Sequence, residues 1–246
     1  MSADPGEIAL LAALAFAGSL VFGVTGFGAA LVIMPLATQF VALPFALALY
    51  CLMDLANSAR IGLENPRRAV RAEWRRLAPM IVAGTAAGVT LLVNLPRRAG
   101  MAALGAFVVL YSIYALWPRR SGARISARWA WPAGFAGGIT SAVFGAGGPP
   151  YVIYLSQRGL GKEEFRATLG LTTLTSISTR VVAFLATGLL SDLRVWLYAL
   201  GVVPAAWLGL SLARRIYLAV SREALMRAVA VVLLASGASL LARALA

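Results

Sequence analysis

The chain has 246 residues, of which 61% are hydrophobic and only 13% charged, and its mean hydropathy is +0.83. A soluble domain carries close to twice that charge fraction, which excludes a water-soluble enzyme, a disordered chain and a fibrous repeat. The net charge of +13 comes from 22 basic residues, all arginine except Lys162, against nine acids; in so apolar a chain it reports membrane topology rather than nucleic-acid binding.

Histidine is absent and Cys51 is the single cysteine. Imidazole metal sites and Ser-His or Cys-His catalytic pairs are ruled out, as are an internal disulfide and a Cys-x-x-Cys site. No metal, cofactor, catalytic residue or nucleic-acid partner is expected. Met1 to Glu7 carries Asp4 and Glu7 and no basic residue, unlike the positive start of a cleaved signal.

In chain order, apolar runs fall at 8–22, 29–38, 44–61, 77–95, 99–117, 129–144, 149–157, 166–190, 195–213 and 224–245. A full span needs about 20 apolar residues. Runs 44–61, 77–95, 99–117, 166–190, 195–213 and 224–245 approach that length and are predicted as transmembrane helices. The other four are short and form two pairs, each interrupted by glycine: Gly23-Val24-Thr25-Gly26-Phe27-Gly28 and Gly145-Ala146-Gly147-Gly148-Pro149-Pro150. Each pair is expected to be a hairpin of short helices, either crossing thinly or re-entering; length alone leaves that open. The fold class is an all-α, polytopic membrane protein.

Most arginines lie in four connections: Arg60 to Arg76, Arg119 to Arg128, Arg158 to Arg166 and Arg214 to Arg222. The positive-inside rule makes these cytoplasmic, so both termini are predicted outside the cytoplasm. Those arginines are also expected to meet lipid headgroups. An offset of 119 residues lays Gly26-x-Gly28 over Gly145-x-Gly147, Leu36 over Leu155 and Ala48 over Ala167. The reading is two inverted repeats: residues 1–118 (hairpin 7–40, then helices 44–61, 77–95 and 99–117) and 129–246 (hairpin 129–157, then helices 166–190, 195–213 and 224–245). Residues 119–128 form a cytoplasmic connection.

Inverted repeats with broken helices are a transporter design, with substrate bound near the midplane. Unwound backbone survives in lipid only where it is buried in protein or lines a cavity. The freed N–H groups and helix N-termini at Thr25, Gly26, Phe27 and Gly28, and at Gly145, Ala146, Gly147, Gly148 and Pro149, would attract an anion. Pro149 and Pro150 suit the first turn of a helix, where missing donors cost little.

Two charges lie inside predicted spans, Asp54 and Arg180. Each is about 15 Å from the external end of its run at 1.5 Å per residue, and each needs a partner in the interior. They are read as an ion pair, or as an anion-binding arginine beside a carboxylate that takes up a coupling proton; substrate competing with Asp54 for the guanidinium reconciles the two. Thr172, Thr175, Ser176 and Thr179 share one helical face bordered by Arg180, and Asn57 has a similar place in the first repeat. Together these are the candidate substrate contacts.

Thr25-Gly26-Phe27-Gly28-Ala29-Ala30 followed by Pro35-Leu36, and Phe144-Gly145-Ala146-Gly147-Gly148-Pro149, resemble the paired glycine signatures of the sulfite exporter TauE/SafE permease family. The likeness covers nearly the whole chain. This sequence departs from the pattern at Ala29-Ala30, where glycines are usual, at Pro149-Pro150, and at Tyr154, where the first repeat has Pro35. The resemblance implies a bacterial inner-membrane permease for a small anion such as sulfite or an organosulfonate. The expected activity is therefore secondary transport by alternating access, with an anion channel of the same lining as the alternative.

Overall fold

The computed structural model describes residues 4–25, 28–63, 66–116, 124–216, 231 and 234–242. Among these, regular structure is entirely helical. The helices are α1 (Pro5–Thr25), α2 (Ala29–Ala37), α3 (Leu43–Gly62), α4 (Arg71–Asn94), α5 (Arg97–Leu116), α6 (Ala130–Phe144), α7 (Gly148–Ser156), α8 (Lys162–Ala186) and α9 (Leu193–Ile216). Residues 234–242 form a further helical stretch that packs on α5, where Gly105 meets Gly237 and Leu240.

Residues 5–23 of α1, and α4, α8 and most of α9, are long and apolar enough to cross a membrane. Their outward faces carry large apolar side chains, with Leu200 on α9 75% and Val182 on α8 66% exposed. Such surface opposes folding in water and is at ease in hydrocarbon. The protein is an all-α integral membrane protein.

Apart from α4 and α8, the helices α1 to α9 begin and end within three residues of the predicted runs. α2 and α7 are nine residues each, starting at Ala29 and Gly148, the 119-residue offset read from sequence. Gly28 (φ 94°) and Gly145 (φ 71°) adopt the left-handed conformation at the two breaks, which glycine alone enters without strain. α1 is 21 residues, longer than its run of 8–22, because Pro5 and Glu7 suit a first turn and no charge follows within the helix. The first hairpin therefore has one long arm and one short arm. α4 starts at Arg71, so part of the arginine-rich connection is helical. α8 spans 162–186 rather than 166–190 and is followed by a turn in which Gly188 has φ 76°. The predicted helix 224–245 lies largely outside the described residues, as does 117–123 of the connection.

Pairs of contacts define the helix directions. Asp4, Ile8, Phe16 and Gly23 of the first segment meet Tyr198, Gly201, Gly209 and Ala213 in turn, so α1 and α9 run parallel. Gly134, Gly138 and Ala142 of α6 meet Leu77, Ile81 and Gly88 of α4, again in parallel. α4 and α8 are also parallel: the Val70 N–H donates to Thr168 Oγ1 and Trp74 Nε1 to Thr175 Oγ1, each at 2.9 Å. α3 runs with α9, through Phe45 against Tyr198 and Arg60 to Ser211. α3 and α8 cross antiparallel, Gly62 against Gly170 and Asp54 against Arg180. Thus α1, α3 and α9 point one way, and α4, α6 and α8 the other.

Two of these interfaces close to backbone distance. A Cβ on Gly84 would collide with the Phe135 carbonyl, and one on Gly209 with the Phe16 carbonyl. Lipid supplies no hydrophobic drive between helices, so this close packing is what holds them. Polar side chains lie at one end of each interface. At the arginine-rich end, Tyr154 Oη donates to Glu73 Oε2, and Arg158 donates to Glu73 Oε1 through Nε and Nη2 at 3.1 and 2.9 Å. Arg158 Nη1 also donates to the Ile125 carbonyl, and its guanidinium lies 5.8 Å from the Tyr154 ring centroid. At the opposite end, Tyr198 Oη donates to Glu7 Oε2, while Arg194 lies 6.0 Å from the Tyr198 ring and 5.5 Å from that of Phe45.

Gly84→Leu or Gly138→Leu should lower the thermal stability of the detergent-solubilised protein. Overpacking costs about 1–3 kcal/mol where side chains can shift; here the obstacle is backbone, so loss of the monodisperse peak on size exclusion is expected. Gly6→Ala, whose new Cβ meets only the Asp4 carboxylate at 3.4 Å, should leave both measurements unchanged.

Candidate substrate site at the glycine breaks

The crossing of α3 and α8 brings Asp54 and Arg180 to the same level. Asp54 is 6% exposed and Arg180 wholly buried. Arg180 Nη2 donates to Asp54 Oδ2 at 3.2 Å, and Nη1 to the Ser141 carbonyl at 2.8 Å. Ser58 Oγ donates to the other Asp54 oxygen at 3.2 Å, and the Tyr50 ring centroid lies 5.4 Å from the guanidinium. Arg180 Nε is buried and has no hydrogen-bond partner among the described residues. A lone charge at this depth costs at least a few kcal/mol, so each member of the pair makes the other tolerable.

Beside the pair lies a pocket with room for about one ordered water, lined by residues of both hairpins and of α3 and α8. Gly28 and Ala30 come from the first break; Gly145, Ala146, Gly147, Gly148 and Pro149 come from the second. Phe22, Tyr50, Asp54, Ser141, Tyr151, Thr173, Ser176 and Ile177 complete it. The second break offers fewer backbone donors than its glycines suggest. The N–H groups of Gly145 and Ala146 cap α6 on the carbonyls of Ser141 and Thr140, and Pro149 and Pro150 have none. Gly147 and Gly148 keep theirs at the N-terminal, positive end of α7.

Most of the sequence candidates meet here. Gly28, Gly145, Ala146, Gly147, Gly148, Pro149, Ser176 and Asp54 line the pocket, with Arg180 directly behind Asp54. Gly26 and Phe27 lie outside the described residues; Thr25 is the last residue of α1. The hydroxyl face of α8 divides. Thr172 and Thr179 bond back to the carbonyls of Thr168 and Thr175, at 2.7 and 2.9 Å. Thr175 bonds back to Leu171 and accepts the Trp74 indole. Three of the four hydroxyls therefore serve helix and helix packing, and only Ser176 reaches the pocket. Asn57 is buried elsewhere, donating to Ser19 Oγ at 2.9 Å.

Sequence reasoning missed Tyr50, Ser141, Tyr151 and Thr173. The signal for Tyr50 and Thr173 was helical spacing: Tyr50 precedes Asp54 by one turn, and Thr173, Ser176 and Arg180 follow a 3/4 pattern. Tyr151, whose Oη donates to Ser176 Oγ at 3.1 Å, carried no such signal.

Broken helices that meet at a buried polar centre inside a polytopic helical bundle define a membrane transporter. The chain belongs to the sulfite exporter TauE/SafE family, whose profile matches residues 10–240. It is 26% identical over 196 residues to the probable inner membrane transporter protein TsaS of Comamonas testosteroni, an alignment covering 78% of this chain and 81% of that protein. No solved structure matches the chain.

Arg180→Met leaves a carboxylate buried without its partner and should cost about 3–5 kcal/mol of stability. The double variant Asp54→Asn, Arg180→Met removes both charges and should recover most of that loss. Thermal unfolding in detergent, compared across the single and double variants, checks this.

Proposed function

We propose that this chain is a secondary transporter of a bacterial inner membrane that moves a small oxyanion, sulfite or an organosulfonate, by alternating access between two inverted repeats, 1–118 and 129–246. The carrying observation is the Arg180 guanidinium, buried beside a pocket between two broken hairpins and neutralised by a single carboxylate, Asp54. The opposite directions of α3 and α8, of α1 and α6, and of α4 and α9 support the inverted relation. The family supports the substrate class, and the TsaS relative, named as a probable inner membrane transporter, supports the membrane.

In this reading the oxyanion takes the place of the Asp54 carboxylate on Arg180. A planar guanidinium offers a forked pair of donors that matches a carboxylate or a sulfur oxyanion equally well. Two anions cannot share one buried cation cheaply, so Asp54 takes up a proton as substrate binds. Anion and proton then move together, and for a singly charged anion such as hydrogen sulfite or a monosulfonate the site remains neutral in both its states. Ser176, Ser141 and the Gly147 and Gly148 N–H groups supply further donors. The arginine-rich connections face the cytoplasm and both termini lie outside.

The test is sulfite and sulfonate flux into proteoliposomes with and without an imposed pH gradient. Wild type should give saturable, gradient-dependent flux. Arg180→Lys keeps the charge but loses the planar fork, and should raise the half-saturating concentration with little change in folding. Asp54→Asn should leave flux insensitive to the gradient. Flux that never saturates and ignores the gradient would identify an anion channel instead. Gradient-driven flux surviving unchanged in both variants would remove the assignment of these residues.

A further inference from the structure

We infer that the bodies moving against each other during transport are not the two sequence halves but two units formed by exchange, closed over the pocket by the Asp54–Arg180 pair. The first unit is α1, α2, α3 and α9; the second is α4, α6, α7 and α8. Each thus holds three elements of one half and the fourth helix of the other. The inference rests on the alternating-access reading above.

Within each unit the interfaces resist sliding. The α1–α9 and α4–α6 contacts are at backbone distance, through Gly209 on Phe16 and Gly84 on Phe135. Relative motion there would drive a neighbouring turn into a carbonyl, and packed surfaces of this kind are not continuously deformable. The polar contacts reinforce the same grouping. Glu7 to Tyr198, Arg60 to Ser211 and Asn57 to Ser19 lie wholly in the first unit. Glu73 to Tyr154 and Arg158, Trp74 to Thr175, and Tyr151 to Ser176 lie wholly in the second. Arg158 holds Ile125, before α6, as well as Glu73, so both ends of the second hairpin are anchored to α4.

Between the units the packing is also close, and the difference lies in the polar contacts. The α3–α8 seam is built on Gly62 and Gly170, and the hairpin tips touch through Gly145 against Tyr50 and Ala30. Of the side-chain hydrogen bonds described above, only Arg180 to Asp54 joins one unit to the other. The pocket lies at this seam, with Gly28, Tyr50 and Asp54 on one side and Gly145, Tyr151 and Ser176 on the other. An anion that takes Asp54's place on Arg180 therefore removes the polar tie between units at the moment it occupies the space between them. The chain crosses from one unit to the other at residues 63–70 and 187–192, the second containing Gly188 at φ 76°.

Cysteine pairs in a Cys51→Ser background test this. Ile8→Cys with Gly201→Cys bridges α1 and α9 inside the first unit, where the Ile8 side chain lies 2.8 Å from a Cβ built on Gly201. Gly62→Cys with Leu174→Cys bridges the two units, with 3.2 Å between the Cβ positions, close to the disulfide range. Oxidation of the first pair should leave sulfite flux unchanged. Oxidation of the second should abolish it, with recovery on reduction. Loss of flux with the first pair, or full flux with the second, would overturn the inference.

A second arm reads the grouping without any flux. Spin labels on Phe40→Cys with Leu200→Cys, both in or adjoining the first unit, should give one narrow distance distribution. Labels on Phe40→Cys with Val182→Cys, across the units, should give a broad one that shifts with sulfite. Narrow distributions for both pairs, or a broad one inside the unit, would overturn the exchanged grouping. A grouping upheld by the labels, in protein that carries no anion, would instead place the failure in the transport reading.

Discussion

One buried ion pair sets the terms for this molecule. A carboxylate and a guanidinium in the interior of an apolar bundle are each too costly to exist alone, and they come from opposite halves of the chain. For both to be tolerated, α3 and α8 must cross antiparallel at one depth and one rotation. That requirement aligns Tyr50 with Arg180 on one side and Ser141 with it on the other. The hairpin tips are brought to the same place, and the pocket follows from their meeting. Arg180 is held by one carboxylate and, among the described residues, has one nitrogen without a hydrogen-bond partner, which is the feature the proposed exchange of partners uses.

The second constraint is the lipid itself. Helices in hydrocarbon gain nothing from hiding apolar surface from one another, so they must gain from contact. The glycines of α4, α6 and α9 supply it by letting backbones touch. Two further glycines, Gly28 and Gly145, do something different: they turn the chain back within the protein, where the exposed backbone lines a cavity. The same residue type thus makes close interfaces along the helices and lines a pocket at their ends. Position, rather than identity, separates the two uses.

The division between fastened and sparsely tied interfaces gives the architecture its mechanical sense. Glu73, Tyr154 and Arg158 at one end, and Glu7 and Tyr198 at the other, bind each hairpin to the helix it lies along. Both sets spare the α3–α8 seam, where the proposed substrate pocket lies. A transporter needs rigid bodies and a joint between them, and in the proposed cycle a polar tie that substrate replaces couples occupancy to motion.

Much of this was legible in the sequence, because the bilayer imposes one-dimensional rules. Apolar length marks spans, arginine marks loops, and glycine in an undersized run marks a break. Among α1 to α9, these rules located every helix except α4 and α8 to within three residues, picked out Asp54 and Arg180 as needing partners, and placed Gly145 to Pro149 at the pocket. They missed the first six residues of α4, because charged residues in the opening turns extend a helix without adding hydropathy. They also assigned Thr172, Thr175, Thr179 and Asn57 to a lining that the fold does not give them, since a hydroxyl facing solute and one facing a helix carbonyl have the same local spacing. Which helices lie side by side, that α9 accompanies α1 and α4 accompanies α6, and that Tyr151 reaches Ser176, were decided only by tertiary structure. Sequence periodicity reports how a residue faces its own helix axis, whereas partner choice depends on the shape of two surfaces far apart in the chain.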